Sequence, residues 1–329
     1  MRLTQSSSDP LGATRYLISL CVIVGLPLWA AGSTPDVTTI APDLVNPQVV
    51  SGDPIAGKRV FQTLPGYENS TVHHALYLPT DWSNGKTYPV IAEFTGNNGT
   101  VAGGKAAQGY GISGGEGYIW ITLPFVSEDG QKDMDWWWGD PDRTAGYAKA
   151  AVESVCKQWG GNAKAVILTG HSRGAIACNY IGLRNDAIAK IWLGMVPVSH
   201  YDNRRWNQTE SEGALRVERL RRLGKTPQYV CGETHLAEKH TDPRLLALVR
   251  ERGFTDIETA TRELNLKSIL EQEGIREFIT VNHPDAKVTF DTFPWVNHDG
   301  DWILRDTPAR TQLRKWVSQL VASSEAHKD

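Results

Sequence analysis

Cysteine is scarce in this chain: four in 329 residues, Cys21, Cys156, Cys178 and Cys231. Their spacing matches no zinc pattern. Beyond an apolar leader that contains Cys21, the odd number left allows one intramolecular bridge at most, and apolar neighbours mark all three as buried thiols. Charge of one sign is not concentrated anywhere either. The formal net charge is -3, and no block of like charges offers a patch for nucleic-acid phosphates or anionic lipid, so neither class of partner is expected. There is no internal repeat, which excludes solenoids and propellers. The glycine-bearing stretch "GNNGTVAGG" has no lysine or acidic residue placed to cradle a phosphate or dinucleotide. Asp133, Asp135, Asp140 and Asp142 lack the spacing of a calcium loop and read as turn and cap residues. Neither a metal nor a cofactor is therefore expected, and a small molecule or a neutral polymer is the favoured partner.

What the chain does have is enough apolar sequence, 40% of residues, to bury one large core. Arg2 and Arg15 precede the apolar run "YLISLCVIVGLPLWA" and the small residues Ala30 to Ser33, the layout of an export signal cleaved near Gly32. With residues 1–32 removed, the protein is expected to be periplasmic or secreted, with no stable membrane partner. Residues 33–56 are rich in Pro, Thr and Asp without periodicity and read as a linker or N-terminal arm. A catalytic domain is expected over 57–329.

Within it, apolar strand-like runs alternate with helix-like ones. "RVFQTL" and "TVHHALYLP" form an antiparallel start. "YPVIAEFTG", "GYIWITLPF", "AVILTG", "KIWLGMVPV", "PQYVCG" and "KVTFDTFPW" read as strands buried on both faces. Asp140 and Pro141 cap and open a helix whose apolar face is Ala148, Val152, Val155 and Trp159, stopped by Gly160 and Gly161. Another helix starts at Thr307 and Pro308. The alternation predicts an α/β fold, a mostly parallel eight-stranded sheet with helices on both faces. Excursions at about 203–225 and 236–284 leave from the strand ends where open α/β sheets bind ligands.

At one of those ends stands "AVILTGHSRGAIACNY": a strand, then Gly170-His-Ser172-Arg-Gly174, then a helix. A serine hydroxyl is a weak nucleophile until a base, a group orienting that base and oxyanion donors surround it. A serine on a tight strand-to-helix turn, with glycines two residues either side where a Cβ would clash, is the context that presents such a nucleophile. From about Lys58 to the C-terminal helix the chain resembles the α/β-hydrolase superfamily, most nearly exported esterases of the polyhydroxybutyrate-depolymerase and feruloyl-esterase type.

The resemblance implies a triad in the order serine, acid, histidine. Ser172 stands as nucleophile, and His298, after the last strand and before the C-terminal helix, as the base. His73, His74, His171, His200, His235, His240 and His283 fit that position less well. For the acid, the family's usual aspartate slot after the seventh strand is His235, and neighbouring Glu233 is the first choice. Asp202 after the sixth strand is the alternative, and Asp242 comes third. The oxyanion donors implied are the backbone N–H of Arg173 and that of Asn97, since Thr95 and Gly96 stand where the family has His-Gly. The Arg173 side chain resembles an arginine of glucuronoyl esterases, which leaves contact with a substrate carboxylate, contact with the oxyanion, or a structural ion pair open.

Trp136, Trp137 and Trp138 lie consecutively in an Asp-rich loop on the same edge. Core packing spaces its aromatics by helix or strand period, so such a run points to a rim or pocket that meets an aromatic, sugar or polyester substrate. The function expected is ester hydrolysis through an acyl-enzyme. A serine peptidase of the same fold and a non-catalytic binding protein on this scaffold remain the alternatives.

Overall fold

The computed structural model describes residues 36–202, 210–233, 275–276, 278–295 and 297–326. Its strands are β1 (Val49–Val50), β2 (Arg59–Gln62), β3 (His74–Tyr77), β4 (Tyr88–Phe94), β5 (Ile119–Leu123), β6 (Gly161–His171), β7 (Gly194–Val198), β8 (Gln228–Gly232) and β9 (Val288–Thr292). The helices are α1 (Gln108–Ser113), α2 (Pro141–Trp159), α3 (Arg173–Tyr180), α4 (Asp186–Ala189), α5 (Glu210–Arg222) and α6 (Pro308–Ala326). All nine strands join one sheet in the order β1-β2-β3-β5-β4-β6-β7-β8-β9. β3 runs antiparallel to β2 and β5, while β5, β4, β6, β7, β8 and β9 are parallel throughout. The eight strands read from sequence are β2 to β9. The ninth, β1, pairs parallel with β2 over two residues, too few to leave a periodicity.

A strand's side chains alternate between faces, so an unbroken apolar run feeds two cores at once. Val90, Ala92 and Phe94 of β4 and Val166 and Leu168 of β6 enter one core, with Ala148, Val152 and Val155 of α2 and Ala177 of α3. Ile91 and Ile167, one position out of phase, enter the other, with Ile112 of α1 and Leu313 and Val317 of α6. Local signals set the helix ends. The Asp140 carboxylate accepts from the N–H groups of Asp142 and Arg143 at 2.9 and 3.0 Å, a cap of about 1 kcal/mol. Pro141 fills the first turn, and Gly160 closes the helix at φ 78°.

The arm before β2 is laid on the body. Val37 is buried in the second core, and its N–H donates to Asn297 Oδ1 at 2.9 Å. Asp43 receives both terminal nitrogens of Arg310 at 2.6 and 2.7 Å. Asp43 and Leu44 donate to the carbonyl of Leu304, and the Arg305 guanidinium reaches the carbonyl of Ile40. The 33–56 segment thus contributes a strand and anchors of its own. The leader 1–32, residues 203–209 of the first excursion and most of 236–284 lie outside the described residues. No described helix is long and apolar enough to cross a membrane.

Candidate active site

Ser172 joins β6 to α3 at φ 58° and ψ -119°. This is sparsely allowed for a residue with a Cβ and costs about 1–3 kcal/mol. The flanking glycines make the turn possible. A Cβ on Gly170 would stand 2.4 Å from the carbonyl carbon of Gly174, and one on Gly174 would stand 2.1 Å from the carbonyl oxygen of Phe94. The Ser172 N–H is held by the carbonyl of Val198 at 3.0 Å, which ties the turn to the end of β7.

Glu233 follows β8 directly and is 3% exposed. Its Oε1 meets His298 Nδ1 at 2.5 Å, and its Oε2 accepts from the Ser199 hydroxyl at 2.5 Å. Burial pushes this carboxyl's pKa up, but the hydrogen bond from His298, the charges of His171 and His298, and the Ser199 hydroxyl outweigh it and hold the group at about 2. An ionised carboxylate only accepts, so His298 carries its proton on Nδ1 and a neutral ring leaves Nε2 bare. The His298 ring is 4.5 Å from the ring of His171, the residue before the serine, and 5.3 Å from that of His200. His298 and Glu233 thereby stand together beside the turn that carries Ser172. Ser172 Oγ and His298 are not themselves hydrogen-bonded; such bonds commonly tighten only when substrate binds.

The loop after β4 passes beside the serine: a Cβ on Gly96 would lie 3.7 Å from Ser172 Cβ. Asn97 and Arg173, the two expected oxyanion donors, spend no backbone N–H on another backbone group among the described residues. The Asn97 side chain accepts from the Trp137 N–H at 3.1 Å, which fastens the tryptophan segment to this loop. Trp136 is 49% exposed, Trp137 stands edge-on to it at 5.7 Å, and Trp138 turns inward against Phe125 and Tyr180. The run thus divides into a rim residue, a bridging residue and a packing residue. The described non-glycine residues with positive φ are Asn98, Trp137, Ser172 and Ser199. They occupy the segments that follow β4, β5, β6 and β7, all at the same end of the sheet, and backbone strain clusters in this way at functional sites.

Asp202, the alternative acid, is engaged elsewhere: Arg219 of α5 grips it with two hydrogen bonds of 3.0 and 3.1 Å, both side chains 3% exposed. It does not meet His298. Asp242, His235 and His240 lie outside the described residues. His74 faces Tyr147, His283 meets the carbonyl of Gly224, and Asp299 caps the turn that starts at Gly300. The Arg173 side chain forms no ion pair among the described residues and is bound by loop carbonyls instead. Sequence reasoning missed Ser199. A serine just past a parallel strand, opposite the strand end that carries Glu233, was the available signal. His171, Glu233 and His298 also offer ligand atoms within 4.8 Å of one another, a donor set of the zinc type, and the bond between His298 and Glu233 already employs two of these groups.

No protein-family model matches the chain, and no curated protein is similar to it in sequence. Among solved structures, it is similar to the S-formylglutathione hydrolase from Agrobacterium tumefaciens at 11% identity and TM-score 0.49, covering 84% of this chain and 99% of that one. The feruloyl esterase module from Clostridium thermocellum is 12% identical with TM-score 0.47, covering 89% and 95%. A thermostable esterase is 11% identical with TM-score 0.46; the match covers 79% of this chain and 62% of that one, under two thirds of its length. Likeness at these levels concerns the chain trace alone. The chemistry rests on this chain's own residues.

Proposed function

We propose that the chain is a serine hydrolase that cleaves a carboxylic ester through an acyl-enzyme intermediate. The observation that carries this reading is the joint placement of a strained Ser172 on a glycine-flanked turn and a buried, ionised Glu233 bonded to His298 beside it. His298 Nε2 takes the Ser172 proton as Oγ attacks the ester carbonyl. Glu233 keeps the ring in that tautomer and stabilises the imidazolium without accepting its proton. The N–H groups of Arg173 and Asn97 receive the oxyanion, each worth on the order of 3 kcal/mol in the transition state. His298 then protonates the departing alcohol, and a water activated by the same nitrogen releases the acid.

The exposed Trp136 ring beside this loop favours an ester with a flat apolar part, such as an aromatic acid, a sugar or a polyester segment. The leader supports export to the periplasm or the medium. A fluorophosphonate probe tests the chemistry: peptide mapping is expected to find the label on Ser172 of folded protein and to find none in His298→Ala. A folded wild-type chain that takes no label at Ser172 defeats the reading.

A further inference from the structure

The side chain of Arg173 makes six hydrogen bonds at this end of the sheet. It is 1% exposed, and its cation stays charged at neutral pH although burial lowers its pKa to about 10. One terminal nitrogen donates to Thr95 Oγ1 at 3.0 Å and to the carbonyls of Gly96 and Gly99 at 2.9 Å each. The other donates to the carbonyls of Met134 at 3.1 Å and Trp137 at 2.7 Å. Nε faces the carbonyl of Thr95 at 3.4 Å, and the guanidinium lies over the Phe125 ring at 4.0 Å. Every hydrogen-bond acceptor belongs to one of two segments, 95–99 after β4 or 134–137 after β5.

Burying a cation against neutral carbonyls is costly, and packing alone would be met by an apolar side chain. A guanidinium adds a rigid fork of five donors that can hold two loops in one fixed relation. The loops are stitched to each other as well. Asn98 N–H donates to the carbonyl of Asp135 at 2.8 Å, and Trp137 N–H donates to Asn97 Oδ1 at 3.1 Å. The Asp133 carboxylate accepts from Val101 and Phe125 N–H at 2.7 and 3.0 Å. What Arg173 adds is the third body. Its backbone follows Ser172 directly, so the fork fixes both loops relative to the serine.

We propose that the Arg173 side chain is a positioning residue that holds the Asn97 oxyanion donor and the tryptophan segment in register with Ser172, acting through loop carbonyls and without touching substrate. The oxyanion donor and the aromatic rim then behave as one unit. This rests on the serine-hydrolase reading, and it assigns to the side chain a role separate from that of the Arg173 backbone N–H, which any substitution other than proline leaves in place.

Arg173→Lys and Thr95→Val test it in the full chain, on a short-chain aryl ester and with a trifluoromethyl ketone whose hemiketal oxyanion mimics the transition state. In Arg173→Lys, kcat is expected to fall about a hundredfold, the size of a displaced oxyanion donor, with KM changed less than about threefold. Affinity for the ketone should fall in step with kcat/KM. Thr95→Val removes one acceptor and should act in the same direction by about tenfold. A merely structural role predicts losses that follow the folded fraction measured by circular dichroism, with the ketone affinity of folded molecules unchanged; that result overturns the proposal. If Arg173→Lys does not fold, Thr95→Val decides by the same criterion. A wild type that neither turns over the ester nor takes label at Ser172 is a separate outcome and defeats the esterase reading itself.

Discussion

Two glutamates are buried at the same end of this sheet, on strands with β6 and β7 between them, and they behave in opposite ways. Glu93 of β4 is 2% exposed and Glu233 after β8 is 3% exposed. Glu93 accepts from four donors: the N–H groups of Ala107, Gln108 and Gly109 at the start of α1, and the indole N–H of Trp120, at 2.9–3.0 Å. Yet burial outweighs them, even with help from the charge of Arg59, and its pKa is raised. Glu233, bonded to the Ser199 hydroxyl and the His298 imidazole, is held at about 2, its burial outweighed chiefly by His298 and by the charge of His171. The number of hydrogen bonds does not decide ionisation; bonds to a partner that itself gains charge do. Glu93 ties a helix end to the sheet, whereas Glu233 faces a group that can exchange a proton.

The contrast is broken most severely by Glu233→Gln, which keeps the shape and removes the charge. Its kcat is expected to fall by about 10³–10⁴-fold, because the His298 tautomer is no longer enforced, while circular dichroism reports a folded chain. Asp202→Asn is the next in size and affects stability alone. It leaves Arg219 buried without its counter-charge, a loss of about 3 kcal/mol readable in urea denaturation, with kcat per folded molecule unchanged. A collapse of kcat in Asp202→Asn with activity retained in Glu233→Gln reverses the assignment of the acid.

The smallest effect concerns pH. The Glu233 pKa lies at about 2 against an ordinary 4.5, so its stabilising contribution is fully present above about pH 4.5 and is lost as pH falls toward 2. For Glu93, whose folded pKa is raised, the contribution runs the other way and declines as pH rises through the raised value. Denaturant midpoints measured between about pH 2 and 5 should therefore fall less steeply with acid in Glu233→Gln than in the wild type. The Glu93 component lies above about pH 4.5, so a Glu93→Gln series carried upward from there should lack the loss of stability that it gives the wild type as pH rises.

The same comparison separates what was legible in the sequence from what was not. Apolar runs with their flanking turns gave β2 to β9, and α2 was written in full by Asp140, Pro141 and Gly160, because those signals act over a few neighbouring residues. Ser172 was put forward from its glycine-flanked place between a strand and a helix, and His298 from its place after the last strand. The choice between Glu233 and Asp202 was not legible in this way, because it turns on which carboxylate meets a ring 65 positions further on and which one a later helix claims through Arg219. The partners of Arg173 were hidden for a related reason. Apart from the Thr95 hydroxyl they are backbone carbonyls, which every sequence possesses and none advertises. Ser199 drew no notice because its role exists only once Gly232 lets β8 pass close to it, 2.9 Å from where a Cβ would stand to Ser199 Cα.

The arm laid across the body bears on the order in which the molecule is completed. Asn297, the neighbour of His298, is bonded to Val37 across 260 positions, and Asp43 meets Arg310 of α6 across 267. Contacts so distant along the chain are paid for late in folding, after the loops between them have closed. During synthesis, the Gly170–Gly174 turn can be shaped long before the loop that carries His298 has left the ribosome. The arm must wait for α6, which is made after the other described elements, so the turn is an early product of folding and the placing of His298 beside it a late one.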